Sequence, residues 1–212
     1  MQGEPTVHRR LSVAVLTALV VLALAPAAVA APPRTVDPST VTPPLNPNFT
    51  WTCFDTGAGP ICQGTYEDAW ADEDIGEDCG GQPIYTSGSG VERMTRWHLP
   101  DGRATKTVVN LRYRDTLSLS PSGDGPVVHL RASWNRHYDY LVPGDRSTRV
   151  LTEPGAWWLA TAPGHGIVFQ DTGLIRWLPG AEYEELDMIR GPHDSLTDWE
   201  GALAAVCAVL TG

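Results

Sequence analysis

The stretch VERMTRWHLPDGRATKTVVNLRYRDTLSL, Val91–Leu119, decides the fold. Its first limb alternates, with Val91, Arg93, Thr95, Trp97 and Leu99 on one face. Asp101-Gly102 follows, a dipeptide that suits a tight hairpin because glycine takes positive φ without a steric penalty. On the return limb Thr105, Thr107, Val109, Leu111 and Tyr113 share a face. A period of two over limbs this long predicts an antiparallel pair with one face on a core and one in water.

The same rhythm runs on toward the C-terminus. VVHLRASWNRHYDYLV (127–142) aligns Val128, Leu130, Ala132 and Trp134, and it is bounded by PSGDGP (121–126) and by Pro143-Gly144-Asp145. RVLTEPGAWWLATA, GIVFQDTG and LIRWLPG follow, with PGHG (163–166) as a hairpin connection and Asp171-Thr172-Gly173 as a further turn. No helix-sized segment separates these runs, and successive strands tend to be neighbours in space. The expectation is a mainly β, antiparallel meander, a barrel being favoured over a sandwich. Only SLTDWEGALAAVCAVL (195–210) breaks the pattern. It predicts one C-terminal helix, capped by Thr197 with Glu200 as its partner. Trp199, Leu203, Val206, Cys207 and Leu210 form its apolar stripe.

The N-terminal side predicts export. MQGEPTVHRR carries Arg9 and Arg10, an apolar run LSVAVLTALVVLALAPAAVA follows, and Ala28-Val29-Ala30 has the small-x-small form of a cleavage site. Residues 1–30 therefore read as a signal peptide, with a secreted, extracellular product and no stable membrane insertion after cleavage. Residues 31–48 are proline-rich and read as a spacer. Residues 49–212 read as a single disulfide-stabilised β domain. The cysteines are Cys53, Cys62, Cys79 and Cys207. An even count in an exported chain reads as disulfides, and the short separation favours Cys53–Cys62, leaving Cys79–Cys207.

The formal net charge of -10 and the single lysine, Lys106, argue against nucleic acid as a partner unless charge is locally segregated. TYEDAWADEDIGEDCGG (65–81) reads as a solvated acidic loop, with part of a strand as the alternative, because its carboxylates lack the spacing of a calcium-binding EF-hand. Neither a P-loop nor a dinucleotide fingerprint is present, so no cofactor is expected. Gly88-Ser89-Gly90 in TSGSG lacks the context of a nucleophile elbow and reads as a flexible loop.

Two sets of residues remain as site candidates. Trp97, Trp134, Trp157 and Trp158 stand in the alternating runs, where they could fill a core or line a cavity for a small apolar ligand. Adjacent strand residues point to opposite faces, so one of Trp157 and Trp158 is expected near solvent, a contact for a carbohydrate. His165, His193 and Asp194 lie in Gly/Pro loops and form a weaker alternative, a metal or acid–base site, although no ligand spacing supports it. GPHD (191–194) is explained as a connector into the helix without a ligand. His98, His129 and His137 offer a further cluster on strands.

PGHGIVFQDTGLIRW, MIRGPHDSLTD and ALAAVCAVL, with GQPIYTSG before them, are similar to the C-terminal pattern of uncharacterised small secreted proteins of actinobacteria. The likeness spans roughly residues 80–212. It implies export and a mainly β fold, and it implies no catalytic role. The expectation is a non-enzymatic binding or structural protein that holds a small apolar or carbohydrate ligand. The competing reading is an extracellular hydrolase or metal-dependent enzyme that uses the loop His and Asp residues.

Overall fold

The structure is a computed structural model that describes residues 33–179 and 185–212. The signal-peptide reading of residues 1–30 lies outside the described residues. The strands are β1 (Arg34–Thr35), β2 (Thr50–Asp55), β3 (Pro60–Asp78), β4 (Pro83–His98), β5 (Ala104–Ser118), β6 (Val128–Tyr140), β7 (Arg149–Ala162), β8 (Gly166–Trp177) and β9 (Leu186–Arg190). Two helices follow, α1 (Asp194–Thr197) and α2 (Trp199–Thr211). All nine strands form one sheet in sequence order, every pairing antiparallel. This is the expected meander.

Closure into a barrel is not found. Among the described residues β1 pairs only with β2 and β9 only with β8, so the sheet stays open. Its edge strands are short, β1 having two residues and β9 five, and they offer little backbone to one another.

The opening hairpin forms as expected. Leu99 N donates to Arg103 O, and Gly102, at φ +85°, donates its N–H to Leu99 O, both at 2.9 Å. Beyond the turn Trp97 faces Lys106, and Met94 faces Val109. Thr107, Val109, Leu111, Asp115 and Leu117 are buried, and Tyr113 is half-buried on the same side. In β6 the alternation is cleanest: Val128, Leu130, Ala132 and Trp134 are buried, while His129, Arg131 and Ser133 are exposed.

Three segments expected wholly or mainly as loops or turns are strand. The acidic segment is the outer part of β3, which runs unbroken from Pro60 to Asp78 with irregular register after Trp70. Its carboxylates are mostly exposed, and Glu67, Glu73 and Asp74 pair with the neutral Val91, Thr86 and Tyr85 of β4. TSGSG lies inside β4, where Gly88 pairs with Asp115 and Gly90 with Tyr113. A Cβ at Gly90 would meet the Tyr113 ring at 2.1 Å, and one at Gly88 would meet Asp115 Oδ1 at 2.2 Å. These glycines leave room for larger side chains on the neighbouring strand. Asp171-Thr172-Gly173 is no turn either, because β8 passes straight through it.

The spacer reading of residues 31–48 is also corrected where the chain is described. Val36 N donates to Cys53 O, Thr42 N to Gly102 O, and Ala104 N to Thr42 O, at 3.0, 2.9 and 2.7 Å. Val41 is buried with Cys53 and Cys62, and Val36, Leu45 and Trp51 pack around them. The buried Arg96 guanidinium donates to Pro43 O at 2.9 Å and lies 6.0 Å from the Trp51 ring. Proline removes backbone donors, but its carbonyls remain strong acceptors, and Arg96 uses one.

The disulfides are Cys53–Cys62, across the β2–β3 pair, and Cys79–Cys207, which ties α2 to the end of β3. The helical segment divides at Asp198. Its carboxylate, rather than the Thr197 hydroxyl, caps α2 by accepting from Gly201 N at 3.0 Å. Thr197 Oγ1 instead donates to His193 O at 2.8 Å. The buried face of α2 is Ala202, Val206, Val209 and Leu210, rotated from the expected stripe so that Trp199 is exposed. That face packs on Ile84, Leu117, Val128, Leu130, Ala160 and Phe169 of the sheet.

Candidate binding cavity beneath the C-terminal helix

Beside this contact, sheet and helix enclose a cavity of about 330 Å³. Ile84, Leu117, Leu130, Trp158 and Phe169 line it from the sheet, and Ala202, Leu203 and Val206 from α2. Trp70, Ile75 and Trp199 complete the wall. Ile75 and Trp199 are also 38% and 45% exposed, so apolar surface continues to the mouth. A volume of this size is at the lower end of small-molecule sites.

Three polar residues join the apolar wall: Thr86, Ser195 and Asp115. The Ser195 hydroxyl is spoken for, donating to Asp171 Oδ2 at 2.5 Å. Asp115 is 6% exposed, and its Oδ1 is buried without a hydrogen-bond partner. Burial pushes its carboxyl up to about 6, opposed by a hydrogen bond with the Trp70 side chain. A buried carboxylate with an open oxygen calls for a donor or a cation.

The raised value makes stability depend on pH in a defined sense. The folded chain binds the Asp115 proton more tightly than the unfolded chain, whose carboxyl titrates near the usual 3.8. The resulting stabilisation is complete below that value and is lost as pH rises through about 6. Asp115→Asn keeps the shape and removes the titration. Thermal midpoints measured across mildly acidic to neutral pH should show the variant gaining on the parent as pH rises. A constant difference would contradict the assignment.

Of the four tryptophan candidates, one lines this cavity. Trp70, Tyr113 and Trp134 form a file with ring centroids 5.9 and 5.6 Å apart, and Trp157 and Trp158 lie 6.2 and 6.4 Å from Trp134. Trp158 reaches the cavity, whereas Trp134 is core. Trp157 packs against that core. The expected opposition of Trp157 and Trp158 fails because the register shifts between Ala156 and Trp158, and both rings contact Trp134. Neither ring is exposed. Trp97 is half-buried on β4, and the alternation puts it on the face opposite Arg96 and His98.

The histidine alternative is not assembled. His165 is exposed at the β7–β8 turn, while His193 is 2% exposed beneath the connector, with neither ring nitrogen hydrogen-bonded. Asp194 Oδ2 accepts from Gln170 N at 2.9 Å, and Asp171 Oδ1 accepts from Ser195 N at 2.9 Å. These bonds seat GPHD and α1 on β8. No group of three His, Cys, Asp or Glu side chains able to hold a metal gathers among the described residues. Ser195 donates its hydroxyl to the Asp171 carboxylate, so no serine–histidine pair forms here. His98 Nδ1 lies 3.0 Å from Pro60 O in the interior. His129 and His137 share the outer face of β6 but stand about 26 Å apart by strand rise.

Sequence reasoning missed Asp115, Trp70 and Trp199 as cavity residues. The signal for Asp115 was present: the alternation of Thr107, Val109, Leu111 and Tyr113 carries on to it, putting a carboxylate in a core position. Compared with family models, curated proteins and solved structures, the chain matches none.

Proposed function

We propose that this is an exported, non-enzymatic binding protein that holds a small apolar ligand beneath α2, with a cationic or hydrogen-bond-donating head group at Asp115. The carrying observation is the cavity itself, apolar throughout most of its wall, with the carboxyl of Asp115 among the few polar groups that line it. The two disulfides are compatible with an extracellular site, as is the finding that no helix among the described residues is long and apolar enough to cross a membrane. A primary amine on a ring or short alkyl chain satisfies both features of the cavity. Its ammonium pairs with Asp115, and its apolar body displaces water from the Trp70, Trp158 and Phe169 walls.

Quenching of tryptophan fluorescence by benzylamine, benzyl alcohol and benzoate tests this reading. Benzylamine should bind more tightly than the alcohol by about tenfold or more, and benzoate should not bind. Affinity for the amine should rise with pH as Asp115 ionises. Leu203→Trp should fill the cavity and abolish binding without unfolding the chain, and Asp115→Asn should erase the preference for the amine. Equal binding of all three probes, or binding unaffected by Leu203→Trp, would refute the proposal.

A further inference from the structure

We propose that the outer face of β4, β5 and β6 binds a short anionic glycan along a diagonal row formed by Arg93, Arg112, Arg114 and Arg131. The inference is independent of the cavity, which lies on the other face of the sheet. The four arginines are scattered in sequence, and the register gathers them. Arg114 stands between Ser89 and Arg131, Arg112 between Val91 and Ser133, and Arg93 opposite Asn110, which faces Asn135. With strands about 5 Å apart and paired rows about 7 Å apart, the row crosses roughly 17 Å of the sheet.

All four side chains are exposed, and none forms an ion pair or side-chain hydrogen bond with a described residue. Arg114 and Arg131 are direct cross-strand partners. Like charges in that position oppose folding unless an anion lies between them. The surface is not flat. A groove of about 900 Å³ includes Arg112, Arg114 and Arg131, and a second of about 410 Å³ includes Arg93 and Arg112. The two share Val91, Arg112 and Ser133 in their walls, so the depression follows the row.

The chemistry favours an acidic oligosaccharide. A guanidinium fork takes a carboxylate with two parallel hydrogen bonds. A line of four such forks matches a short chain with a carboxylate on each sugar. Between the forks lie the Ser89 and Ser133 hydroxyls and the amides of Asn110 and Asn135. These are neutral donors and acceptors suited to sugar hydroxyls. Long polyanions are disfavoured by the net charge of -10 and by Glu67 and Asp68 at the β3 side of the groove.

Calorimetric titration of the purified protein with tetragalacturonate, at low ionic strength, reads the proposal directly. Binding is expected, with none for the neutral maltotetraose, and should weaken markedly when salt is added. Arg131→Gln should weaken it about tenfold or more, with the thermal midpoint of the free variant at or above that of the parent. Arg112→Gln, which has no arginine opposite it, should weaken binding without that gain in midpoint. Failure to bind tetragalacturonate, equal binding of maltotetraose, or affinity unchanged in both folded variants would overturn the proposal. So would tighter binding of oligothymidylate or of phosphatidylglycerol vesicles.

Discussion

Replacing Glu153 by Ala should destabilise the protein by about 3–5 kcal/mol, measured as a shift in the denaturant midpoint at neutral pH. Glu153 is 0% exposed, at an inward position of β7. Its Oε1 accepts from Arg136 Nε at 2.9 Å and, at 3.4 Å, from Trp134 Nε1, while Oε2 accepts from Trp177 Nε1 at 2.8 Å. Burial raises its pKa, and the bonds from Trp177, Arg136 and Trp134 oppose that rise. Removing the carboxylate takes a buried acceptor from a partly buried guanidinium and from the indole N–H groups of two buried rings. Each loses a bond that offsets the cost of its burial. The loss should exceed that of Asp101→Ala, whose pair with Arg103 is exposed and screened by water. A Glu153→Ala variant as stable as the parent would show that this node is not a keystone of the inner face.

The second large effect concerns the Cys79–Cys207 bridge. Its half-cystines are 128 residues apart, so the bond removes the closure entropy of a very long loop from the unfolded chain. Cys79→Ser with Cys207→Ser should cost roughly 4–5 kcal/mol in the chain-entropy picture. The corresponding change at Cys53 and Cys62, nine residues apart, should cost less. The long bridge also positions α2 over Ile84, Leu117, Leu130 and Phe169. Its loss should therefore increase binding of a hydrophobic dye under native conditions, as helix opening exposes that apolar face. Equal stability losses for the two double variants would contradict the loop argument.

Much of this architecture could be read from residue patterning. The alternation from Val91 to Leu119, the Asp101-Gly102 turn and PGHG specify local geometry, and a meander needs only local pairings. The acidic run leaves loop and strand open because its charges signal only solvent exposure, and an exposed outer strand satisfies that signal as well as a loop does. Gly88 and Gly90 were misread for a related reason. Glycine marks backbone freedom in isolation, and only the register reveals that Asp115 and Tyr113 need the space. The docking of residues 33–48 draws on Arg96, 53 residues from the Pro43 carbonyl it meets, as well as on backbone bonds to Cys53, Gly102 and Ala104, and none of these partners is marked in the sequence. The cavity was anticipated as a kind of site, but of the four tryptophans proposed for it only Trp158 lines it. A register shift in β7 redirects Trp157, and no local pattern encodes that shift. The arginine row was hidden by the same distance in sequence, since three strands must pair before Arg93, Arg112, Arg114 and Arg131 become neighbours.

The central claim is that the space beneath α2 is a binding cavity with Asp115 as its polar anchor. A crystal structure of the protein soaked with benzylamine at neutral pH tests it most directly. The account expects the ring between Trp158, Phe169 and Leu203, with the amine nitrogen within hydrogen-bond distance of the Asp115 carboxylate. A cavity left without the amine at saturating concentration, or an amine bound only elsewhere on the protein, would contradict it.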